Sequence, residues 1–346
     1  MRCAIVPPHV LDHIAEHHDD ERLREFAQRT LVIDGGQREA RAAAQLIAAA
    51  PPPPAPAPAA PKRTIHDAGH RQTLPGRTVR SEGGPATADK SADEIYDWLG
   101  VTFEFYRSAY GRDSIDGAGL PLVATVHYAV DYDNAFWDGS QMVYGDGDQH
   151  IFTTFTGPLD VTGHELTHGV TQYSGGLDYS GQSGALNESL SDVFGSLVKQ
   201  YHLGQTADQA DWLIGQGMFA AGVHGVALRS MKAPGTAYDD PNLGKDPQPA
   251  DMAHFVKTSR DNGGVHINSG IPNRAFYLTA TAIGGHAWEK AGRVWYDTLT
   301  GGQMPTDADF ATFAGMTQET AGKLFGVSSA ESKAVHEAWT TVGVLK

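Results

Sequence analysis

The segment VTGHELTHGV, residues 161–170, constrains this chain more than any other. His164 and His168 stand four apart, so a helix here presents both imidazoles on one face and lets them close on one cation. Glu165 falls about a hundred degrees round, beside the pair. The pattern H-E-x-x-H reads as two zinc ligands plus a general base. It equally suits an amphipathic helix whose two histidines bond backbone or carboxylates, so a third ligand has to decide between the two readings.

Composition narrows the setting. The chain has 346 residues and a formal net charge of −15, enough for a large core and for two domains plus extras. Such a surface repels phosphate backbones, which argues against nucleic acid as a partner. Cysteine occurs once, at Cys3, so no intramolecular disulfide forms and a Cys-rich zinc module is excluded. No apolar run approaches a membrane span, and MRCAIVPPHVLDHIAEHH lacks the apolar core of a secretory signal peptide. The chain is expected either to stay inside the cell or to leave it by a route without such a signal.

The chain divides by pattern. Near the start, ERLREFAQRTLVID and GGQREARAAAQLIAAA have helical composition and are separated by a glycine pair. Then PPPPAPAPAAPKR, residues 51–63, reads as an extended connector. A small helical piece tethered to a larger body is expected; the alternative is a disordered tail. From Thr64, RTIHDAG, QTLPGRTV, LPLVATVHYAV and QMVYGDGDQHIFTTF read as strands, the last folded at YGDGD, with one helix over Ala92–Tyr106. After Leu159 the chain turns helical to Lys346. A β-rich half followed by an α-rich half puts the H-E-x-x-H helix at the junction, where a cleft belongs.

The third ligand should come from a nearby helix. Beyond the Gly-rich turn YSGGLDYSGQSG lies SGALNESLSDVFGSLVKQY, with Glu188 twenty residues past His168 and Asp192 four beyond that.

HELTH followed at this distance by NESLSD resembles the thermolysin family of zinc endopeptidases (peptidase family M4), as do DNAFWDGSQMVYGDGD, ALRSM and DNGGVHINSGIPNRAFYL. The short leader with P-P-x-x-L, here Pro7, Pro8 and Leu11, resembles the protealysin-like subgroup. The resemblance implies an α+β, two-domain metalloprotease with a β-rich N-terminal domain and a mostly α-helical C-terminal domain, a cleft between them and a short helical propeptide in front. The corresponding boundaries are 1–50 propeptide, 51–62 Pro-rich linker, 63–180 β-rich catalytic domain including HELTH, and 181–346 helical domain.

What the resemblance implies chemically can be carried residue by residue. His164, His168 and Glu188 bind one zinc, whose fourth position holds a water of lowered pKa, roughly 7. Glu165 is the general base. His266 and Tyr179 donate to the developing oxyanion, Asp261 orients His266, and Asp192 holds the outer N–H of the first zinc histidine. Asn134 and Arg229 bind substrate backbone, and Phe152, Phe155, Val161 and Leu228 form a pocket for a large apolar side chain after the scissile bond. The expected activity is a zinc-dependent neutral endopeptidase, probing protein and peptide substrates as a monomer and made as a self-processing precursor inhibited by its own propeptide.

Departures matter as well. Asp160 and Asp211 match carboxylates of the family's paired calcium site, but Lys199 falls where a calcium-binding glutamate is expected and Gln216 replaces another acid. Calcium binding there is therefore in doubt, because an ammonium can neutralise the carboxylates without an ion. Export without a signal peptide is the expected route, with a cytoplasmic location as the alternative. A protein that keeps the fold but not turnover would be expected to lose Glu165 or His266, and both are present. A peptide-binding regulator held shut by its leader would leave the connector uncut.

Overall fold

A computed structural model describes residues 4–45 and 60–346, the side chains of 37–45 excepted. Cys3 and most of the proline-rich connector lie outside the described residues. Among the described residues, no helix is long and apolar enough to cross a membrane.

The leader forms α1 (Pro8–His17) and α2 (Glu21–Gln45). Pro8 fits the first turn of α1, where a missing N–H costs nothing. The two successive segments of helical composition join as one helix through the glycine pair. Neither Gly35 nor Gly36 takes a left-handed φ, and two interior glycines cost only about 1 kcal/mol each.

A five-stranded sheet follows, ordered β2-β1-β3-β5-β4. Its strands are β1 (Arg63–Asp67), β2 (Arg77–Ser81), β3 (Leu122–Val126), β4 (Ala135–Trp137) and β5 (Met142–Tyr144). The central β1–β3 and β3–β5 pairs are parallel, and β2 and β4 join antiparallel at the two edges. The helix expected over Ala92–Tyr106 is α3 (Lys90–Tyr110); it starts where Asp89 accepts the N–H groups of Ser91 and Ala92 and stops at Gly111.

Two strand expectations are too long. LPLVATVHYAV leaves the sheet after Val126, where His127 and Ala129 take φ of 54° and 57°. The QHIFTTF half of the expected hairpin is irregular and forms no strand, pairing through an isolated bridge of Phe152 to Phe219 and through backbone hydrogen bonds of Ile151 and Thr153 with Ala220 and Met218. Asp148 Oδ1 accepts the N–H groups of His150, Ile151 and Phe152, so a side chain takes the donors that a ladder needs.

The helical half holds α4 (Leu159–Tyr173), α5 (Gly181–Leu203), α6 (Asp261–Asn268), α7 (Gly270–Ile283), α8 (Ala291–Thr300), α9 (Phe310–Phe325) and α10 (Ala330–Thr341). Between α5 and α6 run the two-residue strands β6 (Leu213–Ile214), β7 (Arg229–Ser230), β8 (Asp239–Asp240) and β9 (Gly244–Lys245). Nearly every residue of α4 and α5 is buried. They cross closely because Gly195 lacks a side chain: a Cβ there would stand 2.6 Å from the Asp160 carbonyl oxygen and 3.0 Å from the His164 nitrogen. That approach brings the end of one ligand set to the other.

Candidate metal centre and the leader across it

His164 and His168 project from α4, and Glu188 comes back from α5. The three offer ligand atoms within 4.8 Å of one another. The two Nε2 atoms are 3.1 Å apart, and Glu188 lies 3.7 Å from each. On the far side of the rings, His164 Nδ1 donates to Asp192 Oδ1 at 2.8 Å and His168 Nδ1 to Asn187 Oδ1 at 2.8 Å. With both Nδ1 atoms protonated, two Nε2 lone pairs face each other, an arrangement that a cation reconciles. Glu188 Oε2 is buried without a hydrogen-bond partner. Two neutral imidazoles and one carboxylate form a donor set that fits zinc.

The electrostatics agree with that arrangement. Burial alone would raise the Glu188 carboxyl, yet the facing imidazoles of His266, His168 and His164 hold it near 2. Burial would raise Asp192 too, but Arg229 and His164 hold it well below the usual carboxylate range. Asp192 accepts from His164, twice from Arg229, at 2.8 and 2.9 Å, and from Asn273 Nδ2 at 2.9 Å.

Opposite the triad, α6 opens on a tight left-handed turn in which Gly263 and Gly264 take φ of 91° and 78°. The turn presents His266, whose Nδ1 donates to Asp261 Oδ1 at 2.7 Å while its backbone N–H donates to Oδ2 at 2.9 Å. Burial lowers the His266 pKa, but Asp261 and Glu188 outweigh it and raise the ring above its ordinary value. Tyr179 OH lies 3.3 Å from His266 Nε2 and donates to Glu188 Oε1. Glu165, fully buried, accepts the Trp137 N–H at 2.9 Å. His164, His168, Glu188, Tyr179, His266 and Asp261 thus lie together, with Glu165 next to His164 on α4.

The start of the leader, Ala4 to Pro8, crosses that place beside Tyr179 and His266. Ala4 bridges antiparallel to Phe136 on β4, the sheet edge, and the Ile5 N–H donates to the Ala135 carbonyl at 3.0 Å. Arg229 Nη1 donates to the Ile5 carbonyl at 3.0 Å, and Asn134 contacts both polar groups of Val6. Adding a strand to an exposed edge is a general way to hold an extended peptide. Of the expected pocket residues, Phe152, Phe155 and Val161 are fully buried and Leu228 nearly so, in the same apolar cluster as Ile5. Phe152 packs on Phe155 with ring centroids 5.6 Å apart.

Lys199 Nζ lies 3.2 Å from Asp160 and 2.7 Å from Asp211, while Gln216 is exposed. Sequence reasoning missed Ala135, Asn187, Asn273 and Asp34. Ala135 acts through its carbonyl, which any residue has. Asp34 of α2 accepts from Tyr132 OH and from Asn134 Nδ2, a contact across 100 residues that no local pattern signals. Asn187, next to Glu188, was the one with a readable position.

Residues 62–172 match the thermolysin metallopeptidase catalytic domain and residues 175–344 its alpha-helical domain. The chain belongs to the thermolysin metallopeptidase family. It is 54% identical over 346 residues to an "Extracellular metalloprotease" of Pectobacterium carotovorum subsp. carotovorum, covering 99% of this chain and 96% of that one. It is 39% identical over 292 residues to the thermolysin of Alicyclobacillus acidocaldarius subsp. acidocaldarius, covering 81% of this chain and 50% of that protein. The solved precursor of protealysin, a metalloproteinase from Serratia proteamaculans, superposes with a TM-score of 0.89 at 53% identity, covering 99% of both chains. The chain is therefore a protealysin-like member, an enzyme of the metalloprotease class.

Proposed function

We propose that this metalloprotease is a zinc endopeptidase that cuts peptide bonds on the N-terminal side of large hydrophobic residues and is made as a precursor that removes its own inhibitory leader. The observation that carries the reading is the leader strand: Arg229, Asn134 and Ala135 grip Ile5 and Val6 by backbone groups alone, as a protease grips peptides of varied sequence. Ile5 is fully buried at the edge of the sheet, and Phe152, Phe155, Val161 and Leu228 are buried apolar residues, which supports an apolar preference just beyond the cut.

His164, His168 and Glu188 hold the zinc, which when bound polarises a peptide carbonyl and acidifies a water molecule. Glu165 takes the water's proton and returns it to the leaving amine. Tyr179 and His266 donate hydrogen bonds to the negative charge that develops on the carbonyl oxygen, with Asp261 keeping the imidazole charged and oriented. Asp192 ties His164 to Arg229, so peptide binding and ligand orientation share one carboxylate. Residues 1–50 are the leader, 51–62 the linker, 63–180 and 181–346 the two catalytic domains. The extracellular designation of the Pectobacterium relative supports a protein that acts outside the cell, and we assign it a route without a cleaved signal peptide and a monomeric state. With Lys199 between Asp160 and Asp211, the paired calcium site is replaced by an ion pair.

The test compares wild type with Glu165→Gln over time on a denaturing gel, with and without a zinc chelator. Wild type should lose its leader between Leu31 and the connector, and the variant and chelated protein should stay whole. Trimming of the variant at the wild-type rate without added protease would rule out self-processing. Casein cleavage by full-length protein as fast as by the trimmed form would rule out inhibition.

A further inference from the structure

Four of the first eighteen residues are histidines, and three of them, His9, His13 and His17, follow one another at intervals of four along α1. They form a stripe on one face. That face meets the loop before β9: His9 Nε2 lies 3.0 Å from Tyr238 OH, and His13 Nε2 lies 3.0 Å from the Pro241 carbonyl, to which it donates. His17 stacks on His13 with ring centroids 4.5 Å apart. His13 and His17 are at the surface side of the stripe. His9 is at its inner end, one residue beyond the Pro7-Pro8 pair that follows the strand in the cleft.

The setting of His9 favours a neutral ring. Its Nδ1 is buried with no hydrogen-bond partner, so a second ring proton there would be an uncompensated donor. The charged groups that face it are Arg229 of β7 and His266 and Asp261 of α6, with Tyr238 offering a hydroxyl. Two of these charges are positive. The one negative group, Asp261, is already engaged by His266 through both carboxylate oxygens.

We propose that His9 is an acid-sensitive latch: protonation of its imidazole drives α1 and the strand ahead of it out of the cleft, so that mild acid opens the precursor. The inference rests on the reading of the leader as inhibitor.

The direction follows from linkage. Burial first, then His266 and Arg229, outweigh Asp261 and lower the His9 pKa from 6.5 to about 4 in the docked state. A group whose docked pKa is depressed favours docking fully above its free pKa and loses that contribution as pH falls through the interval between the two values. Between pH 7.5 and pH 5.5 the docking equilibrium should therefore weaken about tenfold.

The experiment uses full-length, zinc-loaded Glu165→Gln protein, which cannot digest itself, and a fluorescent peptide hydroxamate that needs both zinc and an empty cleft. Glu165→Gln/Val6→Asp, whose buried Val6 cannot stay docked as a carboxylate, serves as the open reference, so the probe's own pH dependence cancels. Relative to that reference, probe uptake by the latch-intact protein should rise about tenfold from pH 7.5 to 5.5. The same protein with His9→Gln or His9→Phe should show a flat ratio, and with His13→Gln the full rise. A ratio that stays flat in the latch-intact protein, or a rise that survives both His9 replacements, overturns the latch. Uptake equal to the open reference already at pH 7.5 would instead overturn the inhibitory leader itself, which keeps the two failures apart.

Discussion

Asn134 brackets Val6 from the side, accepting its N–H at 2.9 Å through Oδ1 and donating to its carbonyl at 3.2 Å through Nδ2. The same Nδ2 donates at 2.9 Å to Asp34, a buried carboxylate of α2. One amide of the catalytic body therefore holds both the strand and the second helix of the leader. Asn134→Ala should loosen both at once. The expected result is faster loss of the leader together with a raised KM for peptides and a smaller change in kcat, because a ground-state contact is removed. Steady-state kinetics of the trimmed enzyme and a maturation gel check the two halves; an unchanged KM would show that Asn134 serves the leader alone.

The metal centre was legible because its chemistry is local. Two histidines on one helical face need only the helix period, and Glu188 needs only one loop and one return. The second helix of the leader was half legible: apolar spacing marked Leu23 and Ile33, but Asp34, a charged residue, gives no hint that it is buried against Tyr132. Asn134 and Arg229 came through the family resemblance, since nothing near them in sequence says that they face a peptide. The misread strand at residues 149–155 carries β-type residues, but Asp148 captures three N–H groups that a ladder would use.

Asp192 should be worth more than its position suggests. It accepts four hydrogen bonds from three side chains, and Arg229 beside it is 2% exposed. Asp192→Asn leaves that guanidinium buried without a counter-charge, which costs about 3–5 kcal/mol, and lets the His164 ring turn. Zinc affinity should fall about 10–100-fold. Chelator competition with a zinc-sensitive dye measures the second effect separately from denaturant melting, and unchanged zinc affinity would make Asp192 a purely structural partner of Arg229.

His127 gives the catalytic body an alkaline limit. Its ring is held between Asp146 Oδ1 and Asp89 Oδ2, each at 2.8 Å, and Asp89 also caps α3. The Asp146 hydrogen bond, opposed by burial and helped by Asp89, raises its pKa from 6.5 to about 9. A raised folded-state pKa adds stability that is complete below 6.5 and is lost as pH climbs through about 9. Since the ring is only half-buried, solvent screening reduces the contribution to about 1 kcal/mol. Melting temperature should fall between pH 7 and pH 10 more steeply in wild type than in His127→Gln; parallel curves would remove His127 from the account.

The proposed replacement of the calcium site by Lys199 can be tested directly. Its ammonium sits between Asp160, which is 1% exposed, and the half-open Asp211. Asp160 Oδ1 also accepts the Gly215 N–H at 3.1 Å. Burial raises the Asp160 carboxyl, and the nearby ammonium works against that rise; burial lowers Lys199, and the two carboxylates overcome it and raise its pKa. Each charge thus depends on the other for being ionised where it is, and on the proposed reading the ammonium stands in for a divalent cation between two acids. Wild type should therefore melt at the same temperature with a calcium-selective chelator as with millimolar calcium. Lys199→Glu replaces the ammonium by a third carboxylate facing Asp160 and Asp211, a set of oxygen ligands suited to calcium. Without the ion the variant carries uncompensated buried charge and should be less stable by about 3 kcal/mol or more. Added calcium should return much of that loss by mass action, with a melting temperature that climbs as calcium rises above its dissociation constant. Calorimetry over a calcium series in both proteins is the check. A wild-type melting temperature that drops sharply on chelation would place an ion elsewhere in the molecule, and a Lys199→Glu variant indifferent to calcium would mean that the remaining backbone and exposed Gln216 cannot complete a coordination shell.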